Sequence, residues 1–167
     1  MTKIAVVTGA NRGLGFETCR QLAKQGIQVI LTSRDEAKGK AAAQELQAQG
    51  LDVKFHPLDV TSPDSIEHLA QFIRNEFGRL DILVNNAGIS FEFAAGSEGG
   101  IFNTKIETLQ KTIETNTYAP LLICQALIPL MKANNYGRVV NVSSGAGQLE
   151  DMQTGFPAYR ISKTALN

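Results

Sequence analysis

Along the chain, short apolar runs alternate with segments whose apolar residues recur every three or four positions. Ile4-Ala5-Val6-Val7 reads as a buried strand punctuated by Gly9, and a helical stripe from Phe16 to Ala23 stops at Gly26. Val29-Ile30-Leu31 is the next strand. Asp35 suits the cap of a helix that runs through Ala37, Ala41 and Leu46 to Gly50. Val53-Lys54-Phe55 follows. Thr61-Ser62-Pro63 then opens a helix with Ile66, Leu69, Ala70, Ile73 and Phe77 on its apolar face and Gly78 at its stop. Ile82-Leu83-Val84 makes a fourth strand and Val139-Val140-Asn141-Val142 a fifth, with one long helix from Leu109 to Leu130 between them. The strands lack a polar alternation, as strands do when both faces of a parallel sheet are covered by helices. Five βα repeats predict an α/β fold: a Rossmann-type, doubly wound parallel sheet with helices on both faces.

One stretch breaks the rhythm. Ile89 to Asn103 holds Phe91, Phe93 and Phe102 around Gly96-Ser97-Glu98-Gly99-Gly100. It is a long loop after the carboxyl end of a strand, where open α/β sheets bind ligands, and the three phenylalanines hint at an apolar substrate. A surface excursion of little function is the plainer alternative.

Length and composition narrow the class. The 167 residues suit a single domain spanning 1–167, and an apolar content of 43% argues against disorder. Lys plus Arg number 16 and Asp plus Glu number 16, so the net charge is zero. That balance argues against a nucleic-acid or anionic-membrane partner recognised by bulk charge, though a local patch stays compatible with it. Cys19 and Cys124 are too few for a disulfide scaffold and read as core, and neither they nor His56 and His68 have metal-ligand spacing. No apolar run reaches the roughly 18 residues of a membrane span, and the first residues are too short for a secretory leader. A cytoplasmic, reduced protein without a metal is the expectation.

The chemistry begins at Thr8-Gly9-Ala10-Asn11-Arg12-Gly13-Leu14-Gly15, between the first strand and the first helix. Gly9 allows a sharp turn, Gly13 lets backbone approach a pyrophosphate at the helix N-terminus, and Gly15 permits close helix packing. This T-G-x-x-x-G-x-G spacing resembles that of the short-chain dehydrogenase/reductase family. Four further motifs agree in the family's order: Asp59-Val60, Asn85-Asn86-Ala87-Gly88, Ser143-Ser144 and Tyr159-x-x-x-Lys163, while Asn116 matches the family's catalytic asparagine. The resemblance runs from residue 4 to the last residue. The wording around the motifs is similar to the carbonyl-reductase-like branch, which includes plant terpenoid ketone reductases.

The resemblance implies an NADP-dependent oxidoreductase that reduces a ketone or aldehyde reversibly, with Asn116, Ser144, Tyr159 and Lys163 as catalytic residues. Tyr159 would be the general acid/base. A free tyrosine, with a pKa of about 10, ionises too little near neutrality, and Lys163, on the same helical face, would stabilise its phenolate and hold the nicotinamide ribose. Ser144 would hydrogen-bond the substrate carbonyl, in preference to Ser143, although a serine at a strand end is ordinarily a turn or cap residue. Asn116 would position a water in a proton relay with Lys163; an asparagine inside a helix has poor propensity and needs such a reason.

Cofactor contacts are implied for Gly9, Asn11, Arg12, Gly13, Leu14, Gly15, Arg34, Asp59, Val60, Asn86, Ala87, Gly88, Tyr159 and Lys163. NAD-preferring relatives carry an acid at the end of the second strand. Here that position is Ser33, followed by Arg34, and with Arg12 the pair suits a 2′-phosphate, so NADP(H) is expected over NAD(H). Solvated surface cations are the alternative for both arginines. The partner expected is a small carbonyl or alcohol, with no nucleic acid or membrane, and a homo-oligomer through the Asn116 and Tyr159 helices is possible at full length. Family members continue for another third of their length beyond Asn167. The expectation is therefore a chain incomplete at its C-terminus, with the C-terminal strands missing and catalysis belonging to the complete fold. A non-catalytic dinucleotide-binding or regulatory fragment is the rival reading.

Overall fold

The computed structural model describes residues 2–92 and 100–167. The chain groups into two compact units: Met1–Ala87 with Leu122–Asn141, and Gly88–Leu121 with Val142–Asn167.

The first unit contains the sheet. Its strands are β1 (Ile4–Val7), β2 (Gln28–Ser33), β3 (Val53–Pro57), β4 (Ile82–Asn85) and β5 (Arg138–Asn141). They run in the order β3-β2-β1-β4-β5, and every pairing is parallel. The connecting helices are α1 (Gly13–Lys24), α2 (Glu36–Gln47) and α3 (Pro63–Phe77). The order reverses direction beside β1, so right-handed crossovers set α1 and α2 on one face of the sheet and α3 on the other. This is the doubly wound arrangement that the alternating pattern predicts, with its switch point between β1 and β4.

Local chemistry explains the boundaries. The Asp35 side chain accepts from the Lys38 amide and caps α2. Ser62 accepts from the Ser65 amide with Pro63 as the first helical residue, and Gly78 closes α3 in the left-handed region at φ +67°. The central strands are buried: Ala5, Val6, Val7, Val29, Ile30, Leu31 and Leu83 have no exposed surface. Asp81, also fully buried, accepts from the Ile4 amide at 2.8 Å and pairs with Arg79.

β5 departs from the expectation of strands covered on both faces. Val139 and Val140 are 39% and 48% exposed, and β5 is the outermost strand of the sheet among the described residues. Its register is marked by an amide pair: Asn85 lies opposite Asn141, and the Asn85 Nδ2 donates to Asn141 Oδ1 at 2.9 Å.

The long helix expected from Leu109 to Leu130 is longer and is not uniform. It consists of α4 (Ile106–Ile113), one turn of π-helix (Glu114–Tyr118) and α5 (Ala119–Lys132). Ile123, Leu127, Leu130 and Met131 form its buried stripe. The second unit also holds a 3₁₀ turn (Gly145–Gly147) and α6 (Pro157–Leu166). Among the described residues no helix is long and apolar enough to cross a membrane.

Candidate active site

In the first unit the carboxyl ends of β1 and β4 are clamped together. Thr8 Oγ1 accepts from the amides of Asn86 at 3.0 Å and Ala87 at 2.9 Å, while Asn86 Nδ2 donates back to the Thr8 carbonyl at 2.8 Å. Asn86 therefore braces the two loops. Gly9 has φ +62°, and a Cβ there would lie 2.8 Å from the Ala87 Cα. A side chain on Gly15 would strike the Asn86 amide and come within 2.9 Å of the Ala10 Cα. Gly13, at φ +61°, differs: a Cβ there would project into open space. The helix it opens has no acidic residue in its first turn and no side-chain cap, since Arg12 precedes it and is exposed. This cradle fits an anion: bare backbone, a helix N-terminus without a competing carboxylate, and a cation beside it.

Around that loop, Asn11 is half-buried and Leu14 is 62% exposed. Arg34 is exposed directly after the buried Ser33. Asp59 is half-buried and Val60 buried. Burial pushes the Asp59 carboxyl up, but hydrogen bonds from the Thr61 amide and hydroxyl, with the charge of Arg34, outweigh it and hold the pKa below the usual value.

All four catalytic candidates lie in the second unit. Asn116 is fully buried within the π turn. Its Oδ1 accepts from the Ile89 amide at 2.8 Å, and its Nδ2 donates to the Ile89 carbonyl at 2.9 Å and to Ser162 Oγ at 3.0 Å. The side chain is thus engaged with protein. Pro120 has no N–H, so the Asn116 carbonyl loses the partner that an α-helix would give it four residues on. Both facts account for an asparagine at an interior helical position, and π turns recur at functional sites.

Tyr159 and Lys163 sit on α6, with Lys163 Nζ 5.9 Å from the centroid of the Tyr159 ring. Lys163 is 5% exposed, and its Nζ donates to the Val142 carbonyl at 2.7 Å. Burial holds its pKa below the ordinary lysine value. Ser144 caps the 3₁₀ turn, its Oγ accepting from the Ala146 amide at 3.2 Å. Ser143 instead donates to Asn167 Oδ1 at 2.6 Å.

The segment 142–147 is laced to α6. Besides the Lys163 bond, Arg160 Nη1 donates to the Ala146 carbonyl at 3.3 Å, and the Gly147 carbonyl accepts from Thr164 Oγ1 at 3.2 Å and Asn167 Nδ2 at 3.3 Å. Gly147 makes this approach possible, because a Cβ there would lie 2.7 Å from the Lys163 carbonyl carbon.

Sequence reasoning passed over Gly147, Ser162 and Glu92. Ser162 is fully buried and its Oγ donates to the Tyr159 carbonyl at 2.7 Å. Glu92 contacts the start of α6 through the amides of Ala158 and Tyr159. A serine next to the motif lysine was a readable signal; a lone glutamate in a loop was not. In the loop from Ile89 to Asn103, Phe91 is 47% and Phe102 99% exposed, whereas Phe93 and Gly96-Ser97-Glu98-Gly99 lie outside the described residues.

The family model described as short chain dehydrogenase matches residues 3–167. The chain is 47% identical over 166 residues to a (+)-neomenthol dehydrogenase of Arabidopsis thaliana, covering 90% of this chain and 56% of that protein. It is 46% identical over 172 residues to a carbonyl reductase (NADPH) 3 of Mus musculus, covering 99% of this chain and 59% of that one. The chain thus spans little more than half the length of these curated relatives. Among solved structures, a metagenomic short-chain oxidoreductase in complex with NADP superposes with a TM-score of 0.88 at 36% identity, covering 99% of this chain and 72% of that chain.

Proposed function

The chain belongs to the short-chain dehydrogenase family, and on that premise we propose that it serves an NADP-dependent oxidoreductase reducing a ketone or aldehyde carbonyl, with Tyr159 as general acid. The observation that carries this reading is the pairing of Tyr159 with a buried lysine on one helix, Nζ 5.9 Å from the ring centroid. The curated relatives, named as a carbonyl reductase and a neomenthol dehydrogenase, support the reaction class.

The residues present fit a dinucleotide. The Gly9 to Gly15 loop, with Asn11, Arg12, Gly13 and Leu14, would hold its diphosphate. Arg12 and Arg34 would take a 2′-phosphate through charge-assisted hydrogen bonds. Asp59, whose Oδ1 is occupied by Thr61, would turn its other oxygen to the adenine amino group, with Val60 packing beside it. Asn86, Ala87 and Gly88 would line the adenine and ribose by backbone, and Lys163 and Tyr159 would hold the nicotinamide ribose. The cofactor supplies the hydride for the carbonyl carbon.

The chain's own residues supply the proton and the orientation. Tyr159 donates its phenolic proton to the substrate oxygen as charge develops there. The Lys163 ammonium stabilises the phenolate left behind; burial makes that charge act through a lower effective dielectric. Ser144 accepts from Ala146 through a lone pair, which leaves its hydroxyl proton for the substrate oxygen. Asn116 has its side chain engaged by Ile89 and Ser162, so its part in returning a proton towards Lys163 runs through its backbone carbonyl and a water.

The test is oxidation of NADPH, followed at its absorbance maximum, by the natural full-length protein against a carbonyl panel of menthone, cyclohexanone and 4-nitrobenzaldehyde. Turnover with at least one is expected. Tight NADPH binding without turnover of any carbonyl would instead favour a non-catalytic dinucleotide-binding module.

A further inference from the structure

α6 carries two of the catalytic candidates, Tyr159 and Lys163, but has no local N-cap. Phe156 stands where Ser, Thr, Asp or Asn ordinarily accepts from first-turn amides. It has no polar side-chain atom, and its backbone lies at φ 56°, ψ 50°, not in the extended region that capping residues use. The donors of the first turn are met all the same. Pro157 has none. The amides of Ala158 and Tyr159 donate to Oε1 and Oε2 of Glu92, at 3.3 Å and 3.1 Å. The Arg160 amide closes the first helical bond, to the Phe156 carbonyl at 2.9 Å.

Glu92 is set up for this task. It is 5% exposed, and Thr104 Oγ1 donates to its Oε1 at 2.9 Å. An antiparallel bridge between Gly100 and Gly155 ties the same two segments together just before α6 begins. Buried carboxylates persist where donors meet their oxygens, as the hydroxyl and the two amides do here.

We propose that Glu92 is a positioning residue for Tyr159, capping the catalytic helix from a distant loop and so holding the phenol where it meets the substrate oxygen. The proposal rests on Tyr159 being the general acid. Tyr159 lies in the first turn, the part of a helix that frays when its amides are unsatisfied. Lys163 lies one turn further in and is tied separately to the Val142 carbonyl. Loss of the cap therefore loosens the tyrosine while the lysine stays in place. A misplacement of about 1 Å lowers rate by as much as roughly a hundredfold. The signature is a fall in kcat with cofactor affinity preserved.

A double-mutant cycle in the natural full-length protein tests this, using Glu92→Gln, Tyr159→Phe and the double variant. Turnover is read with the best carbonyl of the panel, NADPH affinity by fluorescence, and amide exchange by NMR on the cofactor-free protein. Glu92→Gln keeps the shape but turns an NH₂ towards one of the two amides. Its kcat should fall about ten- to a hundredfold, with the NADPH dissociation constant held within about twofold and no further loss on the Tyr159→Phe background. Exchange at Ala158 and Tyr159 should quicken while exchange at Lys163 does not. Unchanged kcat, or an equal loss on both backgrounds, overturns the proposal, since a contact that is only structural would act additively. Failure of the general-acid assignment reads differently: Tyr159→Phe alone then keeps its turnover, and Glu92 loses the role with it. If Glu92→Gln does not fold, Thr104→Val removes the carboxylate's hydroxyl anchor instead; a smaller loss confined to kcat supports the proposal, and an unchanged kcat overturns it.

Discussion

Replacing Gly147 with alanine changes no reacting group, yet it should disable the site. The added carbon would lie 2.7 Å from the Lys163 carbonyl carbon and 2.9 Å from both its Cβ and its carbonyl oxygen. Carbon atoms settle at about 3.5–4.0 Å, so the 3₁₀ turn and α6 must part by roughly 0.8–1.3 Å. Four hydrogen bonds resist that movement: Arg160 to Ala146, Thr164 and Asn167 to Gly147, and Lys163 to Val142. Overpacking of this kind destabilises by about 1–3 kcal/mol, which for a protein of 150–250 residues lowers Tm by roughly 2–12 °C. The turn also carries Ser144, so turnover should fall by about ten- to a hundredfold. Calorimetry and steady-state kinetics on Gly147→Ala measure both effects. Gly145→Ala is the control, because nothing lies within 4 Å of a Cβ at that position. Wild-type Tm and turnover in Gly147→Ala would refute the reasoning, as would equal damage from the two substitutions.

Three further outcomes are expected. Tyr159→Phe should lower kcat by about 10²- to 10⁴-fold and leave NADPH affinity within about twofold, whereas Lys163→Ala should damage both; kinetics and fluorescence titration separate the two patterns. NADPH should bind about ten- to a hundredfold more tightly than NADH, the equivalent of about 1.5–3 kcal/mol from Arg12 and Arg34, and Arg34→Ala should erase much of that ratio; equal affinities would remove the argument from charge. Burial lowers the Lys163 pKa in the fold, so between that lowered value and the ordinary lysine value of 10.5 the unfolded chain binds more protons at this residue. Stability should therefore gain from rising pH in that window through this group, and Lys163→Met should lose the gain, as urea unfolding at a series of alkaline pH values would record.

The elements of the first unit were readable because their signals are local. Asp35, Ser62-Pro63 and Gly78 cap or close helices with partners within five residues. Asn116 announced itself by being a poor helix former, and its reason lies in Ile89 and Ser162. The π turn around it was not readable, since it appears where tertiary bonds draw the helix out of its ordinary ladder. The exposure of β5 was not readable either: Val139 and Val140 look like any buried strand, and only strand order decides which strand becomes an edge. Glu92 was invisible for a third reason. Its amide partners lie 66 and 67 positions away, and no spacing rule links a carboxylate to a helix end at that range. The left-handed Phe156 that leaves this helix without a cap runs against every local preference.

The amide pair across β4 and β5 bears on how the chain selects one pairing during folding. Slipping β5 by one residue would keep most backbone bonds and exchange one exposed valine for another, so the ladder alone discriminates weakly. Asn85 is 3% exposed, and its own Oδ1 has no hydrogen-bond partner among the described residues. With Asn141 turned to the opposite face, Asn85 would keep only the long contact from its Nδ2 to Cys124 Sγ at 3.6 Å. Stranding a buried amide in this way costs about 1–3 kcal/mol, roughly a ten- to hundredfold bias against the slipped form. The pair thus acts as a checkpoint on alignment: one side chain at the C-terminal end of an exposed strand rejects the wrong partnering that its valines would tolerate.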